Sequence, residues 1–278
     1  MKQHPLLLLV TLTCIPAWSL QADAVNGGIA LIPLPDSSIA PEVWYHGQRV
    51  LVTGHDGHWQ AAVGIPLSQS AGDDYLNITG SSNKIPFTIS HRDYPEQHIF
   101  LNNTHQVNPS PDELSRIHGE LKQELDDFAV FDGTVDPNAL NLTKLPVKSN
   151  QVLSAFGLKR FFNGEPRAPH SGLDLKAAEG EPVTAPASGR VLMTRQLFFN
   201  GNTIMLDEGQ GLISMYCHLS QISVHEGQLI QAGDLLGYVG HTGRATGPHL
   251  HWSVSLNGVR VDPRLLLTPA LNASLLPH

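Results

Sequence analysis

The chain has 278 residues, 41% of them hydrophobic, which is enough for one large or two ordinary packed domains. Its formal net charge is −8 and it contains no lysine–arginine cluster, which excludes a nucleic-acid partner. Glycine (25) and proline (20) are abundant, as in proteins of short strands and many turns, and with fifteen histidines a histidine alone signals nothing.

Lys2, an apolar run from Pro5 to Pro16 and Ala22-Asp23-Ala24 read as a secretory leader over residues 1–24. Cleavage is expected after Ala24, with Ser19 as the alternative. The run is too short to span a bilayer, so the expectation is an exported protein, periplasmic or secreted, with no transmembrane segment in the mature chain. Cys14 leaves with the leader, and Cys217 then has no intrachain disulfide partner.

Residues 25–108 read as a small β-sandwich. Strand-like runs recur at Val50–Thr53, Trp59–Ile65, Tyr75–Thr79, Ile85–Ser90 and His98–Leu101, separated by turn-rich pieces. Residues 109–149 form a helix and linker. Ser110 is a good N-cap, Pro111 fits the first helical position and Glu113 completes a capping box. Leu114, Ile117, Leu121, Leu125 and Phe128 make one apolar stripe, with Asp112, Glu120, Glu124 and Asp127 assigned to the solvated side. The helix and the N-terminal domain together are expected to cover the substrate groove in a latent form. Pro137–Pro146 reads as a linker.

Residues 150–265 change to glycine-punctuated strands with an internal echo. Gly180–Ala185 followed by Gly189 and Val191 is repeated as Gly227–Ala232 followed by Gly237 and Val239. The echo resembles the hybrid motif of lipoyl and biotinyl carrier domains, but no Met-Lys-Met tip is present to carry a prosthetic group. Residues 266–278 are an apolar, proline-broken tail. The fold class is therefore mostly β: a sandwich, a linking amphipathic helix and a C-terminal β-sheet domain.

Three segments carry chemistry. In Gly247-Pro248-His249-Leu250-His251 the two histidines share one face of a strand, with Leu250 turned inward. In His170-Ser171-Gly172-Leu173-Asp174 an extended chain puts His170 and Asp174 on one face with only a glycine between them. A catalytic zinc takes three protein ligands and keeps a fourth position open. His170, Asp174 and one histidine of the pair supply such a set, leaving the other histidine beside the vacancy. In Met215-Tyr216-Cys217-His218 alternation puts Tyr216 and His218 on one face and Cys217 on the other. No His-Glu-x-x-His is present, so a hydrolytic base must itself be a histidine.

His170-x-Gly-x-Asp174, Tyr216-x-His218-Leu219-Ser220 and Gly247-Pro248-His249-Leu250-His251, with Asn163-Gly164 and Gly240-x-Thr242-Gly243 around them, resemble the lysostaphin/LytM-type zinc metalloendopeptidases over about residues 150–263. The resemblance implies one Zn2+ per chain on His170, Asp174 and His251, with His218 and His249 as the catalytic pair. It implies stem peptides of bacterial peptidoglycan as substrate, and an extra N-terminal domain as in exported Gram-negative members. Arg160 and Arg167 are candidates to grip a peptide carboxylate, with Asn163 and Tyr216 as further substrate contacts. A monomer is expected. The competing reading is a non-catalytic wall-binding or amidase-activator protein on the same scaffold.

Overall fold

The computed structural model describes residues 22–102, 104–133, 137–148 and 150–275. The leader therefore lies outside the described residues apart from positions 22–24. The chain is mostly β, as its sequence implies. Its strands are β1 (Ile29–Pro33), β2 (Val43–Tyr45), β3 (Gln48–Arg49), β4 (Leu51–His55), β5 (His58–Gly64), β6 (Gly72–Ile78), β7 (Lys84–Ile89) and β8 (Glu96–Ile99). The helix α1 (Pro111–Phe128) follows. The rest comprises β9 (Val152–Ser154), β10 (Lys159–Phe162), β11 (Glu165–Pro166), β12 (Leu173–Lys176), β13 (Pro182–Thr184), β14 (Gly189–Leu197), β15 (Gly201–Gly209), β16 (Leu212–Ile222), β17 (Leu229–Ile230), β18 (Leu235–Val239), β19 (His249–Leu256), β20 (Val259–Val261) and the short α2 (Pro269–Ala273).

Two N-terminal sheets, β1-β5-β4 and β3-β2-β6-β7, share a core of Ala30, Ile32, Val43, Tyr45, Val63 and Leu76. Four of the five strands expected there lie in these sheets within three residues of their predicted bounds; the fifth, β8, instead pairs in parallel with β10 in a β11-β10-β8 sheet, and β1, β2 and β3 carried no separate signal. The three-stranded sheet is covered on both faces, because Ile29, Leu51 and Ala62 belong to the main core instead. A strand buried on both sides loses the alternation that would announce it.

The ten-stranded sheet has the central order β17-β14-β15-β16-β19-β12-β9. The internal echo is visible in its pairing. β13 of the first unit pairs with β18 of the second, and β14 pairs with β17, so the units exchange strands reciprocally. The echoed Gly189 and Gly237 have the same cause. A Cβ would stand 2.6 Å from Asp207 O at the first and 2.3 Å from Gln221 O at the second.

Two turn residues stitch the sheets together. Asn257 accepts from Gly64 N and donates to Gly64 O (2.6 and 3.1 Å), and Gln210 does the same to Val52 N and O (3.0 and 3.2 Å). Residues 139–147 pack as well, with Ala139, Leu140, Leu142 and Val147 buried in the main core. The tail also packs: Leu266, Leu267 and Leu275 join that core beside Leu265, and Thr268 caps α2.

Helix α1 has the expected bounds and a complete capping box. Its faces do not follow the expectation. Ile117 and Phe128 are buried, but Leu114, Leu121 and Leu125 are exposed. Asp112 is exposed as expected, but Glu120, Glu124 and Asp127 turn towards the sheet, which offers donors to the two glutamates. Glu120 accepts from Phe198 N (2.8 Å), Glu124 accepts from Asn200 Nδ2 (3.0 Å), and Arg260 lies 3.6 Å from Glu124.

One buried acid has a measurable consequence. Glu208 accepts from Ser214 N at 3.0 Å and from the Ser214 hydroxyl, which lies 2.9 Å from the Tyr216 hydroxyl. Burial pushes its carboxyl up to about 8. A raised folded-state value means its stabilisation is complete below the ordinary glutamate range, falls as pH rises, and is gone above about 8. In urea unfolding between pH 4.5 and 9, Glu208→Gln should gain on the parent protein as pH rises, by on the order of 2–4 kcal/mol. A constant difference between the two proteins across that range would contradict a buried neutral acid.

Candidate metal centre

Strands β12 and β19 build the centre. Their antiparallel register sets Asp174 opposite His251, while Leu173, Leu175, Leu250 and Trp252 fill the core below. His170 arrives from a bend rather than a strand, because β12 starts only at Leu173. Gly172 makes that bend. A Cβ on it would lie 2.5 Å from Trp252 O, 2.6 Å from Ser253 Oγ and 2.9 Å from His251 Nε2.

Three buried donor atoms converge. His170 Nε2, Asp174 Oδ1 and His251 Nδ1 lie 3.0, 3.0 and 2.8 Å from one another. A tetrahedral ion with bonds of ~2.0–2.2 Å holds its donors roughly 3.3–3.5 Å apart, close to this spacing. The donor set fits a cation. His170 Nδ1 donates to Ala155 O (2.7 Å), which leaves Nε2 as a lone pair aimed at the other two donors. His251 Nε2 is held by Ser253 Oγ (2.8 Å). The second oxygen of Asp174 accepts from Arg160 at 2.7 Å. Burial works to raise the Asp174 carboxyl, but His170 and His251 outweigh it and hold it well below the usual carboxylate range. Burial also lowers His251, to about 4, against the pull of Asp174.

Two more imidazoles stand beside these donors. His218 Nδ1 donates to Thr242 O (2.8 Å) and His249 Nδ1 to Gly247 O (2.9 Å), so each turns an open Nε2 to the site. Their ring centroids are 4.8 Å apart, and His218 is 6.0 Å from His251. Burial first, then its neighbours His249 and His251, push His218 down to about 3.

His218 does not arrive by simple alternation. The β15–β16 register slips between Ile204↔Tyr216 and Asn202↔Leu219, and His218 has φ = 62°. This bulge reverses the expected faces. Tyr216, expected on the groove, is fully buried opposite Trp252 on the core side. Cys217, expected on the far side, pairs with His251 and packs with Phe128, Met193 and Met215 beneath the site. Burial pushes its thiol up, which suits an inert core residue.

The other sequence candidates separate. Arg160 and Arg167 line a groove of about 610 Å³ that reaches His170, His218 and His251, and Leu114, Ile117, Leu121 and Glu124 of α1 form its opposite wall. Arg167 is held by Glu165 (2.5 Å) and by Val107 O (2.8 Å). Asn163 lies outside the groove lining. Its side chain clamps the Leu101 backbone, Nδ2 to O and N to Oδ1 (3.0 and 2.8 Å), in a left-handed turn of φ = 52°. Sequence reasoning missed Arg244 and the carbonyls of Thr242, Gly247 and Ala155. Carbonyls leave no side-chain signal, and Arg244 is an unassigned position between Gly243 and Thr246.

Paired imidazoles and a carboxylate on a strand-exchanged β scaffold describe a metallopeptidase-type centre, and the comparisons agree. Residues 168–263 match the family model of peptidase family M23, and residues 22–92 match that of the M23 N-terminal domain. A Pseudomonas aeruginosa crystal structure assigned to peptidase M23 is 36% identical, covers 90% of this chain and 97% of its own, and superposes with a TM-score of 0.74. The chain belongs to peptidase family M23. Two curated relatives are the DD-carboxypeptidase/endopeptidase Mpg of Neisseria meningitidis and the peptidoglycan DD-endopeptidase ShyB of Vibrio cholerae. Mpg is 35% identical over 45% of this chain, and ShyB is 31% identical over 72%. The matches span 29% and 49% of those proteins' own lengths, less than half in both cases.

Gly172→Ala should cost about 1–3 kcal/mol of folding stability, as overpacking does, because its new methyl meets a backbone carbonyl that cannot yield. Urea unfolding checks this, and an unchanged midpoint would show that the bend has room to spare.

Proposed function

We propose that the protein is a zinc-dependent endopeptidase that hydrolyses peptide cross-links of bacterial peptidoglycan. His170, Asp174 and His251 hold one zinc ion, and His218 and His249 do the acid–base work. The observation that carries this reading is the set of three converging buried donor atoms flanked by two open imidazole nitrogens where the groove meets a second hollow. The names of Mpg and ShyB support the substrate class. A wall substrate and the leader-like N-terminus together support export to the periplasm.

Zinc, when bound, supplies Lewis-acid polarisation of the scissile carbonyl and acidifies water. The protein's own groups do the rest. The Thr242 and Gly247 carbonyls keep the protons of His218 and His249 on Nδ1, so each Nε2 is free to accept one. One takes the proton of the attacking water and then hands it to the leaving amine. The other, protonated at Nε2 as well, donates from it to the oxygen on which charge develops. Arg160 holds the Asp174 carboxylate in place through its second oxygen. An extended peptide substrate lies, in this reading, in the groove between α1 and the sheet, whose volume of about 610 Å³ supports it.

Chelation should abolish release of peptides from purified cross-linked peptidoglycan, and zinc should restore it. Asp174→Ala and His251→Ala should lose the metal by elemental analysis. His218→Ala and His249→Ala should keep it while losing rate by ~10²-fold or more. Loss of zinc in His218→Ala would refute the division of roles. Wall binding without chelator-sensitive cleavage would refute the enzyme reading in favour of a binding protein.

A further inference from the structure

Arg244 is the one groove arginine with its charge unmatched. Arg160 is paired with Asp174 at 2.7 Å and Arg167 with Glu165 at 2.5 Å. Among the described residues no carboxylate lies within ion-pair distance of Arg244, and its guanidinium has only a long contact to Gln106 O at 3.4 Å. Two rings nevertheless hold it firmly, with Phe162 and Phe199 at 4.4 and 4.1 Å from its carbon. Its backbone is fixed too, since Arg244 N donates to Phe199 O (2.8 Å) and the preceding Gly243 O accepts from Gln106 Nε2 (2.7 Å). Burial, then the like charges of Arg160 and Arg167, lower it to about 10. A partly buried, pre-positioned and unneutralised arginine is incomplete without an anion.

Its location says where that anion sits. The groove along α1 is one of two hollows that reach the site. A second, of about 330 Å³, is lined by Leu101, Leu153, Phe162 and His249. Arg160, His218 and Arg244 line both, so they mark the junction where the hollows meet. A peptide laid through both hollows has its reacting amide at that junction, beside His218.

We propose that Arg244 binds a free carboxylate carried on the carbon attached to the scissile amide nitrogen, and so selects the leaving-group side of the substrate. This deepens the endopeptidase reading and rests on it. Two chemistries carry such a group: a cross-link in which D-alanine acylates the amine of a diamino dicarboxylic acid, and a peptide ending in D-alanyl-D-alanine. A glycine bridge does not, because the carboxyl of each internal glycine is already an amide.

The test uses the zinc-loaded full chain on two substrate pairs: the cross-linked dimer with that carboxylate free or amidated, and the D-alanyl-D-alanine pentapeptide with its terminus free or amidated. The unsubstituted protein should prefer the free acid in kcat/KM by roughly 10- to 100-fold, the usual worth of a charged hydrogen bond. Arg244→Gln should cleave acid and amide at the same kcat/KM, losing that preference, and Arg244→Lys should keep part of it. A preference on the dimer alone assigns the carboxylate to the cross-link, and one on the pentapeptide alone assigns it to a chain end. Equal cleavage of acid and amide by the unsubstituted protein overturns this proposal only. So does a drop in Arg244→Gln and Arg244→Lys that is equal on acid and amide. Cleavage of none of the four substrates overturns the endopeptidase reading itself.

Discussion

The site depends on a single register, Asp174 opposite His251 in the β12–β19 pair. Side chains alternate across a strand, so the pairing that sinks Leu173, Leu175, Leu250 and Trp252 into the core also lifts Asp174, His249 and His251 to the other face. A slip of one residue would exchange the two sets and bury the polar one. Core packing thus specifies the donor geometry. The surrounding contacts refine it: Ser253 and Ala155 orient the two rings, and Arg160 steadies the carboxylate.

The bulge at Cys217–His218 is the second device. A regular strand would place His218 with Tyr216 in the core. The left-handed residue brings its imidazole out beside His249 and lets Tyr216 remain inside with Trp252. Strain of this kind persists where the surroundings over-determine it. Here Asn200 O receives His218 N and Thr242 O receives His218 Nδ1, both at 2.8 Å.

The sequence was readable where the chemistry is local. Ser110 and Glu113 announce the start of α1, turn-bounded apolar runs announce the strands, and the echoed glycines announce two exchanging units. The five polar residues His170, Asp174, His218, His249 and His251 do meet in space. What failed to show was anything set by a partner far along the chain. The acidic edge of α1 looks solvent-facing until Phe198, Asn200 and Arg260 are seen to receive it. Alternation misassigns Tyr216 and Cys217 because nothing local marks the bulge. Asn163 looks like a groove residue, yet it is spent on the Leu101 backbone.

The paired amides of Asn257 and Gln210 reach beyond their own turns. Each fills both hydrogen-bonding positions of one residue in the N-terminal sheet, Gly64 or Val52, as a neighbouring strand would. Ile29, Leu51 and Ala62 seal the same seam with apolar surface. The N-terminal sheet is thereby grafted onto the sheet that bears the site through both hydrogen bonds and apolar contact. The two sheets therefore share one boundary, and the stability of either depends on the seam that joins it to the other.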